Sequence, residues 1–213
     1  MKCAIIGCGR IAANHVKAIE KNHLDLVALC EIIPRKAQGL LERAGWGGSA
    51  PTIYKDYRQM LSDRPDIELV AIATESGEHA RIALDCIDAR RNLIIEKPMA
   101  MSIGDADKII RRASEQGVKV SACHQNRFNT AVQHARRAVD EGRFGRMSHG
   151  GIHVRWNRDR GYYTQAPWRG TWEQDGGCLM NQCIHGIDLL RWMMGGKIVS
   201  VYAQTRQRFH DYL

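Results

Sequence analysis

Apolar residues in the first 125 positions come in short unbroken runs, and between the runs they recur at helical spacing. The runs predict strands at residues 2–6, 24–31, 67–73, 92–96 and 118–124, with a short one at 52–54. The helical spacing predicts helices over 10–21, 35–44, 57–62, 78–89, 103–116 and 128–141. A strand that is apolar throughout is buried on both faces. The alternation therefore reads as a doubly wound parallel sheet, an α/β domain over residues 1–125. After Gly142 the pattern changes. Residues 144–157 alternate, with Ile152, Val154 and Trp156 on one side and His153, Arg155 and Asn157 on the other, which predicts a strand. A loop rich in aromatic and charged residues covers 158–175. A helix over 178–194, stopped by Gly195-Gly196, and a second strand over 198–208 follow. Residues 126–213 thus read as an incomplete α+β second domain, in which the chain stops partway.

The first turn carries chemistry. Gly7-Cys8-Gly9-Arg10-Ile11-Ala12 fits G-x-G-x-x-[GA], between a predicted strand and a predicted helix. Gly7 allows the tight turn, Gly9 lets a pyrophosphate approach the backbone, and Ala12 lets helix and strand pack closely. Glu31 ends the next strand, about 20 residues on, where an acid accepts hydrogen bonds from ribose hydroxyls. Its charge repels a 2′-phosphate, so NAD is expected over NADP, although Arg35 and Lys36 stand nearby.

Lys97 follows the apolar run at 92–95, within Glu96-Lys97-Pro98. The carboxyl end of a strand is where ligands meet in an open α/β sheet. A partly desolvated lysine there can accept a proton near neutral pH, whereas a lysine after a strand is otherwise a surface charge. The helix over 178–194 is apolar on nearly every side and is expected to be buried. Asn181, His185 and Asp188 fall on it at i, i+4 and i+7, a stripe that either lines a pocket or forms a structural network. The enzymatic reading requires Lys97 and His185 to meet in one cleft beside a nicotinamide.

Composition alters this picture little. The 44% hydrophobic and 25% charged fractions are those of a globular protein. Seven cysteines form no C-x-x-C pair, which argues against disulfides and a zinc knuckle and fits a reducing cytoplasm. Cys8 reads as a small residue tolerated in the glycine turn. The net charge of +8 is spread along helices with no nucleic-acid motif, so neither nucleic acid nor metal is expected as a partner. No run of apolar residues is long enough for a membrane span, and Met1 leads straight into a strand rather than a secretory leader.

Together, the 7–12 turn, Glu96-Lys97-Pro98, His124-Gln125-Asn126-Arg127-Phe128-Asn129, and Gly176-Gly177 leading to Asn181 and His185 resemble the glucose–fructose oxidoreductase/inositol dehydrogenase (Gfo/Idh/MocA) family. The resemblance implies an NAD-binding Rossmann domain followed by a substrate-binding and oligomerisation domain, with homo-oligomers among the longer members. It implies catalytic roles for Lys97, His185 and Asn181. It implies cofactor contacts at Gly7, Gly9, Arg10, Ile11, Glu31, Thr74 and His79, and also at Glu96, Gln125, Trp168 and Arg169. Substrate contacts are implied at Arg127, Arg155, Arg160, Tyr163 and Asn181. Many members have aspartate at the position of Asn181, and asparagine cannot act as a base. Glu75 stands where a proline often follows the threonine matching Thr74.

Val154-Arg155-Trp156-Asn157-Arg158, Tyr162-Tyr163 and Trp168-Arg169-Gly170-Thr171-Trp172 resemble more narrowly the branch that oxidises the 3-hydroxyl of UDP-N-acetylglucosaminuronate in surface-polysaccharide synthesis. Arg155, Arg158, Arg160 and Arg169 could neutralise a diphosphate or uronate; otherwise they are loop charges in water. The alternatives are a free-sugar or cyclitol dehydrogenase, and an NAD-binding protein with little activity.

Overall fold

Six strands hydrogen-bond in parallel in the order β3-β2-β1-β4-β5-β6. They are β1 (Lys2–Ile6), β2 (Asp25–Cys30), β3 (Thr52–Tyr54), β4 (Leu69–Ile72), β5 (Asn92–Ile95) and β6 (Val120–Ala122). The computed structural model describes residues 1–207 and 210–212. The helices of the sheet region are α1 (Ala12–Lys21), α2 (Pro34–Ala44), α3 (Tyr57–Asp63), α4 (His79–Asp88) and α5 (Ile103–Gln116). Those that follow are α6 (Thr130–Asp140), α7 (Arg160–Tyr163) and α8 (Ile184–Met194). The chain falls into two compact units, Met1–Cys123 and His124–Leu213.

Alternation along the buried strands builds two cores, one on each face of the sheet. Ala4, Ile6, Val70, Ile72, Leu93 and Ile95 face α3, α4 and α5. Cys3, Ile5 and Ala71 face α1 and α2 through Ala12, Val16, Ile19, Ala37 and Leu40. The pairing of β1 with β2 shifts register between Cys3 and Ala4. That slip lets Leu26 and Leu29, three apart, share one face. Ser102 caps α5 by accepting from the Asp105 N–H at 3.1 Å, and Asp56 caps α3.

Strand order reverses between β1 and β4, which makes their carboxyl ends the switch point of the sheet. The ladder continues past the strand ends there. Gly7 N–H donates to the Cys30 carbonyl, Ala73 N–H to Ile6 and Glu96 N–H to Ile72, each at 2.8–2.9 Å. The glycine turn, Thr74 and Lys97 therefore leave one rigid edge.

The second unit departs from the pattern reading. Neither 144–157 nor 198–207 is a strand among the described residues; Arg208, also part of the second expected strand, lies outside them. Alternation expresses a preference for a face, but a strand exists only where its backbone is paired. The preference itself survives in part. A Cβ on Gly186 of α8 would meet Ile152 Cδ1 at 3.1 Å and Val154 Cγ2 at 3.4 Å, so Ile152 and Val154, two of the three residues expected on the apolar side, lie against the helix. The expected helix over 178–194 opens as a π turn, Leu179–Cys183, before α8 begins. It is also not the buried helix expected: Leu179 is 52% and Ile187 47% exposed, and only Gly186 of α8 is buried. Arg127 and Arg136 flank the Trp192 ring, each guanidinium carbon 5.2 Å from its centre, joining α6 to α8.

Candidate active site

Gly7 adopts φ +91°, and a Cβ on it would lie 2.7 Å from the Ala73 carbonyl and the Thr74 nitrogen. Only glycine meets both constraints. Gly9 differs, since a Cβ there would touch nothing within 4 Å. Its backbone faces open space. The first turn of α1 has no side-chain cap; Asn14 N–H donates to the Ile11 carbonyl at 2.9 Å, and the positive dipole end ahead of it favours an anion. Glu31 Oε2 accepts from the Cys8 N–H at 2.9 Å and Oε1 from the Ile33 N–H at 3.0 Å. Each carboxylate oxygen accepts two bonds, so these contacts aim Glu31 and leave lone pairs for ribose hydroxyls. The residues present fit a dinucleotide. Burial pushes the Cys8 thiol up to about 12, so it is no nucleophile. Arg43 reaches the Cys8 carbonyl at 3.4 Å. Sequence reasoning passed over Arg43, whose one signal is its place two turns beyond Lys36 on α2.

β5 delivers Glu96, Lys97 and Pro98 to the same edge, with a cis Lys97–Pro98 peptide. Lys97 is half-buried and Glu96 buried. Glu96 Oε1 lies 2.9 Å from His15 Nε2 on α1, and Oε2 accepts from the Lys97 N–H at 3.3 Å. Burial pushes the Glu96 carboxyl up. The hydrogen bond and charge of His15, with the Lys97 contacts, outweigh burial and hold it below its ordinary 4.5. Glu96 is thus a hub orienting the Lys97 backbone. His15, Glu96 and Cys123 offer three ligand atoms within 4.8 Å of one another, the spacing of a metal site. Burial pushes the Cys123 thiol up to about 12, so a metal held there would have to displace its proton.

Because the folded Glu96 value is depressed, its stabilisation is complete above 4.5 and is lost as pH falls through the folded value. Glu96→Gln is expected to cost about 1–3 kcal/mol at neutral pH and to flatten the acid limb of Tm against pH. Thermal melts across a pH series check this. An acid limb as steep in the variant as in the parent would contradict it.

His79, expected as a cofactor contact, is 1% exposed. Its Nδ1 lies 2.7 Å from the Pro98 carbonyl oxygen and its Nε2 3.2 Å from that of Thr74. Both ring nitrogens face backbone carbonyls, so the ring is turned into the protein rather than toward a nucleotide. Glu75 has φ −63°, the angle proline would impose, so the backbone is not diverted there.

In the second unit, Asp175 is 3% exposed and accepts from the Gly170 N–H at 2.8 Å and from the Asn181 amide. Arg127 grips Asp188 with two donors, Nε to Oδ2 at 2.7 Å and Nη2 to Oδ1, and His124 Nδ1 stands 3.6 Å from Oδ2. Burial pushes the Asp188 carboxyl up. The Arg127 hydrogen bonds and the charges of His124, Arg127 and His185 outweigh it, so Asp188 stays ionised. Arg127, expected to bind substrate, is committed to Asp188 instead. The predicted stripe does not run straight either. The wider π turn changes the phase, and Asn181 turns back to Asp175 while Asp188 meets Arg127.

The loop before it gathers cations on aromatic rings. Arg169 lies 4.3 Å from the Tyr162 ring centre and 4.6 Å from that of Trp168. Arg158 lies 5.2 Å from the same Tyr162 ring. Gln182 donates to the Tyr162 hydroxyl at 2.9 Å, tying this cluster to the π turn. Arg155 and Gln125 are exposed, Arg160 stacks on Tyr212 at 5.1 Å, and Tyr163 packs edge-on to Tyr162. Sequence reasoning found the arginines but not that two of them share one ring.

Comparison with known proteins decides the family. The sequence model of the oxidoreductase family with an NAD-binding Rossmann fold matches residues 1–124, and that of the GFO/IDH/MocA C-terminal domain matches 132–212. The chain belongs to the Gfo/Idh/MocA oxidoreductases. Among solved members, the WlbA dehydrogenase of Chromobacterium violaceum, in complex with NADH and UDP-GlcNAcA, superposes with a TM-score of 0.84 at 36% identity. The match covers 92% of this chain and 55% of that one. The WlbA dehydrogenase of Bordetella pertussis, with the same two ligands, gives 0.81 at 34% identity over 92% and 57% of the two chains. Inositol 2-dehydrogenase of Salmonella typhimurium is 25% identical over 95% of this chain and 57% of its own. The chain thus spans little more than half the length of these Gfo/Idh/MocA relatives. No helix among the described residues is long and apolar enough to cross a membrane.

Proposed function

We propose that this chain carries the NAD-binding domain, residues 1–125, and part of the substrate domain, 126–213, of a cytoplasmic dehydrogenase. Its substrate is a nucleotide-linked N-acetylhexosaminuronate, oxidised at the 3-hydroxyl, in surface-polysaccharide synthesis. The observation that carries this reading is the likeness of 92% of the chain, at 36% identity, to a WlbA dehydrogenase crystallised with NADH and UDP-GlcNAcA. The local chemistry agrees with it. Arg158 and Arg169, held over the Tyr162 and Trp168 rings, gather two guanidinium groups of a kind suited to a diphosphate or carboxylate.

Oxidation of a secondary alcohol removes a hydride from carbon and a proton from oxygen. NAD, when bound, supplies the hydride acceptor. Lys97 receives the hydroxyl proton, with His185 the second candidate for that role. Asn181 cannot take a proton; held by Asp175, it presents an amide that orients the substrate. Glu31 selects NAD over NADP by repelling a 2′-phosphate.

The experiment follows the absorbance of reduced nicotinamide with NAD and either UDP-N-acetylglucosaminuronate or myo-inositol. Turnover with the nucleotide sugar alone is expected. Turnover with myo-inositol alone would assign the chain to the cyclitol branch, a reading favoured by its 25% identity to inositol 2-dehydrogenases. NADH binding without turnover of either would make it a nucleotide-binding protein.

A further inference from the structure

His79 opens α4, and no step of the proposed chemistry uses it. It is nonetheless one of the largest fully buried side chains, and it lies between the two backbone segments that matter most. Nδ1 faces the Pro98 carbonyl at 2.7 Å, and Nε2 faces the Thr74 carbonyl at 3.2 Å. A carbonyl oxygen only accepts, and a neutral imidazole has one N–H. The shorter contact selects the tautomer protonated at Nδ1, directed at Pro98. Burial lowers the basicity of the ring, outweighing the opposing pull of the Pro98 and Thr74 carbonyls and of the Glu96 and Glu75 charges.

A chain of contacts continues from both ends. On one side, the Ala73–Thr74 peptide packs against Gly7 so closely that no Cβ fits. On the other, the Lys97 N–H is held by Glu96, which bonds to His15 on α1. One imidazole therefore bonds the end of β5 at Pro98 while its other edge packs against the Thr74 carbonyl beyond β4, beside the glycine turn. We infer that His79 is a positioning residue: by holding the Pro98 carbonyl it sets where Lys97 is presented relative to the Thr74 edge. The inference rests on the role proposed for Lys97.

Two substitutions in the 213-residue chain separate positioning from packing. The amide nitrogen of asparagine falls near the place of histidine Nδ1, and that of glutamine near Nε2. His79→Asn therefore keeps the Pro98 bond, and His79→Gln loses it, turning its amide toward Thr74 instead. Lysines are labelled by reductive methylation with isotope-enriched formaldehyde, and the Lys97 resonance, identified with Lys97→Arg, is titrated by NMR. Its midpoint is expected to match the parent in His79→Asn and to shift in His79→Gln, with NADH affinity unchanged in both. Where the parent turns over, kcat is expected to fall roughly ten- to a hundredfold in His79→Gln, with KM little changed, and no more than about threefold in His79→Asn. Equal effects of the two substitutions, or no effect of either, would overturn the inference. A midpoint shift in a chain without turnover would sustain it while refuting the dehydrogenase reading. Should neither variant fold, ring-nitrogen NMR of the parent decides, because an Nδ1 without its proton overturns the inference.

Discussion

Lys97→Ala is expected to leave NADH binding intact and to slow oxidation of the nucleotide sugar by roughly 10²–10⁴-fold, the contribution of a positioned proton acceptor. The expectation comes from where Lys97 stands. It follows β5 at the switch-point edge of the sheet. Its backbone is tied to the buried Glu96 carboxylate, and the next residue is held by His79. A lysine needed only for its charge would be replaced well by arginine. Arginine does not lose its proton in proteins, so Lys97→Arg is expected to be as slow as Lys97→Ala. Steady-state kinetics with both variants test this; substantial turnover in the arginine variant would end the assignment of Lys97 as proton acceptor.

The second large effect concerns the glycine turn, whose two glycines do different things. At Gly7 an added methyl would sit 2.7 Å from the Ala73 carbonyl and the Thr74 nitrogen, on a backbone with φ +91°. Neither neighbour is a flexible side-chain tip; both are backbone that follows directly on the central strand β4. Gly7→Ala is expected to cost about 3 kcal/mol or more, adding overpacking to left-handed strain. Gly9→Ala meets nothing within 4 Å, so its Tm is expected to stay within about 2 °C of the parent, because the change touches no packed atom. Its methyl would instead stand where the pyrophosphate must come, and NADH affinity is expected to fall roughly a hundredfold or more. Thermal melts and fluorescence titrations of the pair check both halves. A Gly9→Ala variant that binds NADH as the parent does would show that the cofactor lies elsewhere.

The two units differ in how far local pattern reaches. Residues 2–6, 52–54 and 103–116 form the expected elements to the residue: β1 is buried inside the sheet, β3 is paired with β2 at its edge, and α5 is bounded by Ser102 and Gly117. Residues 144–157 carry an equally clear alternation, yet among the described residues nothing pairs with them. The apolar pattern of 178–194 suggested burial, but Leu179 and Ile187 are about half-exposed. Apolar character is local, whereas the surface available to cover it is not.

The candidate site divides in the same way. From residue types and spacing alone came the dinucleotide turn, the acid at Glu31, Lys97 at a strand end, and the arginine-aromatic loop, since each is a short-range pattern whose meaning travels with it. Tertiary structure alone decided that Glu96 is shared between His15 and the Lys97 backbone, that His79 faces two carbonyls, and that Arg127 is committed to Asp188. Those pairings join residues 5 to 81 positions apart, the bond within Glu96-Lys97 excepted. A buried polar group takes whichever partner the packing brings to it, and no periodicity along the chain encodes that choice.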